Sequence, residues 1–96
     1  MKFEFDPAKS KANAAKHGID FSAAPELWAD AQRLEVAVAY PAEPRWLLVA
    51  RLAGQTWTAV FTRRGENIRI ISVRRARDHE QEQYEQNQEE DNGRGV

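Results

Sequence analysis

Apolar and polar positions divide the chain into a short strand, two helical stretches, a run of four strands and a closing helix. Lys2 to Phe5 alternates with the two-residue period of a strand and runs into Asp6-Pro7, where a capping carboxylate and a proline suited to a first turn predict a helix start. That helix should run from Pro7 to His17 and stop at Gly18, a residue that adopts the left-handed conformation at helix ends. Lys9, Asn13 and Lys16 fall at spacings of four and three and so share one helix face. A second, short helix is expected from Ser22 through Trp28, with Pro25 in its first turn.

Leu34 to Tyr40, Trp46 to Arg51, Gln55 to Arg63 and Ile68 to Arg74 read as strands, joined by short turn-like links at Pro41 to Pro44, Ala53-Gly54 and Arg64 to Asn67. Links this short predict hairpins and an antiparallel sheet. In the third of these strands Trp57, Ala59, Phe61 and Arg63 share a face, opposite Thr58, Val60 and Thr62. The fourth is apolar on both faces, which places it inside the sheet with arginines emerging near its ends. Ala76 onward reads as helix to at least Tyr84, while QNQEEDNGRGV, from Gln86, has no core-forming residue before its terminal Val96 and is expected to fray or be disordered.

The stretch FTRRGENIRIISVRRAR, Phe61 to Arg77, carries six arginines around its apolar core, more than a strand needs. Guanidinium groups stay charged and grip phosphate oxygens in pairs, so a cluster of them on a sheet predicts a polyanion surface, with RNA the leading ligand. The formal net charge of -1 conceals this. Residues 1–77 carry thirteen Lys and Arg against eight Asp and Glu, a net of +5, whereas residues 78–96 carry one Arg against seven acids, a net of -6. A basic body attracts nucleic acid, and the acidic end reads as a solvated segment.

Ninety-six residues suit one domain with a modest core and no deep substrate cavity. No apolar run approaches a membrane span and the charged N-terminus lacks a signal-peptide core, so a cytoplasmic location is expected. With no cysteine and only His17 and His79, thiolate chemistry is excluded and a dedicated zinc site is not expected; any catalysis should proceed without metal or cofactor.

Two ordered motifs match a known family. FDPAKSKANAAKHGIDF resembles the opening of the BrnT toxins, ribonucleases of type II toxin-antitoxin modules, in which Asp-Pro begins a helix that closes on Lys-His-Gly. RIISVRRARDHEQEQYE is similar to the family's ending, with Ile-Ser, paired arginines and a helix reaching a Glu-Tyr segment, and Glu43 and Arg45 resemble the charged pair that opens its second sheet strand. Together these cover Phe3 to Glu85 in order. The resemblance implies an α+β, RelE-like fold: two N-terminal helices, an antiparallel sheet of about four strands plus a short N-terminal strand, and a C-terminal helix. Residues 1–85 would form the toxin domain and 86–96 an acidic tail outside the resemblance. It further implies metal-independent endoribonuclease activity that inhibits translation. A BrnA-like, ribbon-helix-helix antitoxin would neutralise the toxin, and operator DNA would be bound only through that complex. The connection at Pro41 to Pro44 and the interruption by Pro25 depart from the family pattern.

Metal-free cleavage of RNA requires deprotonation of a 2′-hydroxyl, stabilisation of charge on phosphate and protonation of the leaving 5′-oxygen. Lys16 and His17, in the matching Lys-His-Gly, are the candidate acid and base; alternatively they are cations favoured by the helix C-terminus. Arg45, Arg63, Arg74 and Arg75 are the candidates for stabilising phosphate charge, and Lys9, Arg64 and Arg69 for binding RNA. Arg69 and Arg77 are alternatively partners of Glu66 and the acidic final helix. Glu43 fits either a general base or an ion-pair partner of Arg45, and Glu80 and Tyr84, one helical turn apart, fit either a catalytic edge or helix docking. Trp28, Trp46 and Trp57 read as core. A nucleic-acid-binding module without catalysis, or a protein that only retains its antitoxin, uses the same residues differently.

Overall fold

A computed structural model describes residues 2–39, 41 and 43–94, with side chains through residue 88. It contains β1 (Phe3–Glu4), α1 (Pro7–His17), a 3-10 segment (Ala24–Ala29), β2 (Leu34–Val38), β3 (Arg45–Leu52), β4 (Gln55–Arg64), β5 (Asn67–Arg75) and α2 (Asp78–Arg94). The strands form one sheet in the order β1-β5-β4-β3-β2. β2 to β5 pair antiparallel as the short links require, but β1 joins β5 in parallel, so the sheet is mixed rather than wholly antiparallel. A parallel neighbour follows from the long return path through α1 and the hairpins, which brings β5 back beside the N-terminus. β2 ends at Val38, short of the expected Tyr40: Ala39 is outside the strand, and Tyr40 lies outside the described residues.

The expected second helix is instead a single 3-10 segment. The segment closes through three-residue steps, Glu26 N donating to Ala23 O at 3.1 Å and Asp30 N to Leu27 O at 3.3 Å, with Pro25 in its first turn as expected. In that geometry residues three apart eclipse, and Ala24 and Leu27 both reach zero exposure. They press, with Ile19 and Phe21, onto the sheet face made by Leu48, Ala59, Phe61, Ile70 and Val73. Trp28 bridges Phe3 and Phe61 edge-on at 4.9 and 5.1 Å between ring centroids. Trp28, Trp46 and Trp57 all pack against this core, as their periodic settings predict.

α1 is bounded as the sequence indicates. Asp6 accepts from Ala8 N at 2.8 Å, Pro7 opens the helix and Gly18 closes it at φ 81°. The β3–β4 hairpin turns through Ala53 and Gly54, both at positive φ, 52° and 79°, as a two-residue hairpin loop with right-handed strand twist demands.

α2 crosses the opposite sheet face, where Thr58, neighbour to the core residue Ala59, points away from the core. Helix continues to Arg94, across the segment read from sequence as an unstructured tail. No apolar residue lies between Tyr84 and Arg94, so this part of α2 has no apolar anchor. Among the described residues no helix is long and apolar enough to cross a membrane.

Candidate functional site

β5 is flanked by β1 only along its first residues, Phe3 opposite Ile68 and Glu4 opposite Arg69, which leaves the later edge of the strand open. α1 closes it with a side chain. Asn13, 8 % exposed, donates from Nδ2 to Val73 O at 2.9 Å and to Ile19 O at 2.8 Å, and accepts from Val73 N at 3.2 Å. Beside this contact the register between β4 and β5 shifts: Val60 faces Ser72 and Phe61 faces Ile70, so Ile71 is unopposed. A bulge of this kind re-aims a side chain. Ile71 lines a shallow depression of about 240 Å³ between α1 and β5, together with Ser72, Asn13, Lys9, Lys16 and His17.

Three sequence-predicted residues, Lys9, Lys16 and His17, therefore meet in one concavity. Both lysines are exposed and His17 is half-buried, and among the described residues none of the three makes an ion pair. The two lysine charges are thus left without an acidic partner among the described residues. Asn13, by contrast, has both amide protons committed, and its role is to fix the floor.

The predicted arginine cluster is split. Arg45 opens β3, and Arg63, Arg64 and Arg69 gather around the β4–β5 turn, with Arg63 facing Ile68 and Arg64 facing Asn67; Arg74 and Arg75 lie at the other end of the same hairpin, opposite Thr58 and Trp57. The six strand steps from Trp57 to Arg63 separate the ends by about 20 Å. At the turn end, Arg63 pairs with Glu35 and lies 5.2 Å from the Trp46 ring centre, and Arg69 reaches Glu4 at 4.0 Å rather than Glu66. Arg64 is exposed and makes no ion pair among the described residues. Glu43 is half-buried and precedes β3 by two residues.

Arg74 is the guanidinium that pairs with the final helix, a place the sequence offered to Arg69 or Arg77. Its Nη1 and Nη2 hold Glu80 Oε1 and Oε2 at 2.7 and 2.9 Å, and Glu80 Oε1 also accepts from Thr58 Oγ1 at 3.0 Å and Arg77 N at 2.8 Å. Burial by itself would raise the Glu80 carboxyl, but these donors outweigh it and hold the group at about 2. The same bond to Glu80 raises Arg74 against the effect of its burial. One turn on, Tyr84 is 1 % exposed and donates to Asp30 Oδ2 at 2.6 Å, which also accepts from Arg51 N at 2.9 Å. Glu80 and Tyr84 thus dock α2, and Arg74 is spent on the same joint. Arg75 remains exposed, 5.5 Å above the Trp57 ring.

Asn13 was placed by the sequence on the lysine face without a role, and no local signal marks it as a strand-edge partner. The Glu80 contact was more legible: a Glu three residues after the residue preceding a helix reaches back to its N–H, one half of a capping box. Among the described residues no group of three or more His, Asp or Glu is placed to hold a metal ion.

The fold and this concavity define a small α+β protein with a basic depression at one edge of its sheet. A family model described as the ribonuclease toxin BrnT of type II toxin-antitoxin systems matches residues 5–80, from Phe5, between β1 and α1, to the Glu80 anchor of α2. The chain belongs to the BrnT family, a family of ribonuclease toxins, and membership implies a cognate antitoxin. No curated protein sequence matches the chain.

Proposed function

We propose that the chain is a metal-independent endoribonuclease of RelE-like type, which cuts RNA at the edge formed by α1 and β5 and halts translation in the cytoplasm until its antitoxin binds. The observation that carries this reading is the meeting of Lys9, Lys16 and His17, each outside any ion pair among the described residues, over a floor built by Asn13 and the bulged Ile71. Cations so placed supply what phosphodiester transfer needs without an added group. In the step, a base takes the 2′-hydroxyl proton, the 2′-oxygen attacks the adjacent phosphorus, and the P–O5′ bond breaks as an acid protonates the leaving oxygen. Lys16 and His17 fit the two proton-transfer roles. Lys9 fits phosphate binding, and Arg75, on the strand that carries Ile71 and Ser72, extends the basic track.

The antitoxin is taken to be BrnA-like, of the ribbon-helix-helix type, with operator DNA bound through the complex. The test is incubation of the purified chain with single-stranded RNA in EDTA, beside a cell-free translation reaction. Cleavage and lost translation support the reading; RNA retention without cleavage would make the chain a binding module.

A further inference from the structure

β2 is the outermost strand of the sheet, and among the described residues no backbone hydrogen bond reaches its free side. Natural edge strands are usually blunted by lysine, proline, a bulge or a covering element. Leu34–Val38, LEVAV, has none of these within it: its one charge, Glu35, is held by Arg63, and its pairing with β3 is regular through all five residues. Val36 and Val38 are 38 % and 36 % exposed on the face that α2 crosses. Between β2 and α2 runs a groove of about 280 Å³ lined by Leu34, Val36, Gln83, Gln86 and Asn87.

We propose that this edge and groove form the antitoxin-docking surface, where an extended antitoxin segment adds as a sixth strand beside β2. This rests on the toxin reading. Five paired residues give a contact about 17 Å long, with main-chain bonds for affinity and side chains for specificity. The segment sets apolar residues beside Val36 and Val38, meets the uncharged Gln83, Gln86 and Asn87 on α2, and carries Lys or Arg that feel the acidic helix beyond them. Charge selects this occupant over a second copy of the chain. Asp78, Glu82 and Glu85 are exposed on α2 outside the groove lining, and residues 78–96 carry a net of -6, seven acids against one Arg, so the charge acts on an occupant of the groove as a field of the whole helix rather than through contact. Two copies joined through β2 would bring two such helices together, whereas a basic strand meets the acid with opposite sign. The site lies across the sheet from α1, on the far edge from β1 and β5, so the antitoxin engages a surface separate from the Lys16–His17 concavity.

Hydrogen exchange on wild-type toxin, alone and in complex with its full-length antitoxin, tests the proposal without a variant. Amides of residues 34–38 should gain protection in the complex. Val36→Glu, at an exposed position, should weaken antitoxin binding roughly tenfold or more while RNA cleavage is unchanged. Glu82→Lys with Glu85→Lys should weaken it further at low salt than at high salt. Unchanged exchange at 34–38 in a tight complex would overturn the proposal and leave the ribonuclease reading standing. Protection at 34–38 in a concentrated toxin-only sample that dimerises would assign the edge to a second copy and overturn it also. Absence of RNA cleavage would fail the catalytic reading while exchange still reports the docking surface.

Discussion

The Asn13 side chain pairs with the Val73 backbone as a neighbouring strand would, giving one bond to the carbonyl and taking one from the amide. The same Nδ2 ties down Ile19 O, so one amide joins α1, the loop after it and the open edge of β5. Asn13→Ala strands these three buried backbone groups and should cost about 2 to 4 kcal/mol, read from the denaturant midpoint. Asn13→Asp keeps the acceptor for Val73 N but sets an oxygen against two carbonyls. It should be at least as damaging. Wild-type stability in both would remove Asn13 from the joint.

Glu80 should make stability pH-dependent in acid. Its folded value of about 2 lies below the ordinary 4.5, so its contribution is complete above about 4.5 and is lost as pH falls toward 2. A shift of that size corresponds to about 3 kcal/mol. Chemical denaturation between pH 6 and pH 2 should show wild-type stability falling across this window and Glu80→Gln falling less, from a lower plateau. Parallel curves would mean that the Glu80 bonds do not distinguish the folded state.

Arg74 and Arg75 are adjacent but should respond differently. Arg74→Ala leaves a buried Glu80 unpaired and should cost about 3 kcal/mol of stability, with the salt dependence of RNA binding nearly unchanged at temperatures where the variant is folded. Arg75→Ala should keep the melting temperature and weaken RNA binding, reducing the logarithmic salt slope by about 0.7 for one lost phosphate contact. The reverse pattern would return Arg74 to the RNA surface.

Sequence signals of short range were the most legible. Asp6-Pro7, Gly18 and Ala53-Gly54 each determine local backbone geometry, and α1 and the β3–β4 hairpin lie where these residues indicate. The parallel β1 and the bulge at Ile71 depend on which distant strands meet, and no local pattern encodes that. Pro25 was read as tolerable in a first α-turn, yet the need to bury Ala24 and Leu27 together is met by 3-10 geometry. For the site, residue type singled out Lys16 and His17. It did not distinguish Arg74, committed to Glu80, from the exposed Arg75, because burial is decided by where α2 docks.

The end of α2 should temper RNA attraction. Residues 89–96 carry Glu89, Glu90 and Asp91 against Arg94, a net of -2. Ending the chain at Gln88 keeps Gln83, Gln86 and Asn87 beside β2 and should modestly strengthen RNA binding at low ionic strength, the gain fading by about 1 M salt where the Debye length is near 3 Å. An equal gain at both ionic strengths would show that the effect is not electrostatic.

The most direct test of the account is cleavage of single-stranded RNA by the purified chain in excess EDTA, with wild type, Lys16→Ala and His17→Ala compared at matched folded fractions. Wild type should cut, leaving a 5′-hydroxyl on one fragment and a 2′,3′-cyclic phosphate on the other. Each variant should lose about a hundredfold or more in rate while keeping most of its RNA affinity. Cleavage at wild-type rate in both variants, or activity that disappears with EDTA and returns with a divalent metal, would contradict it.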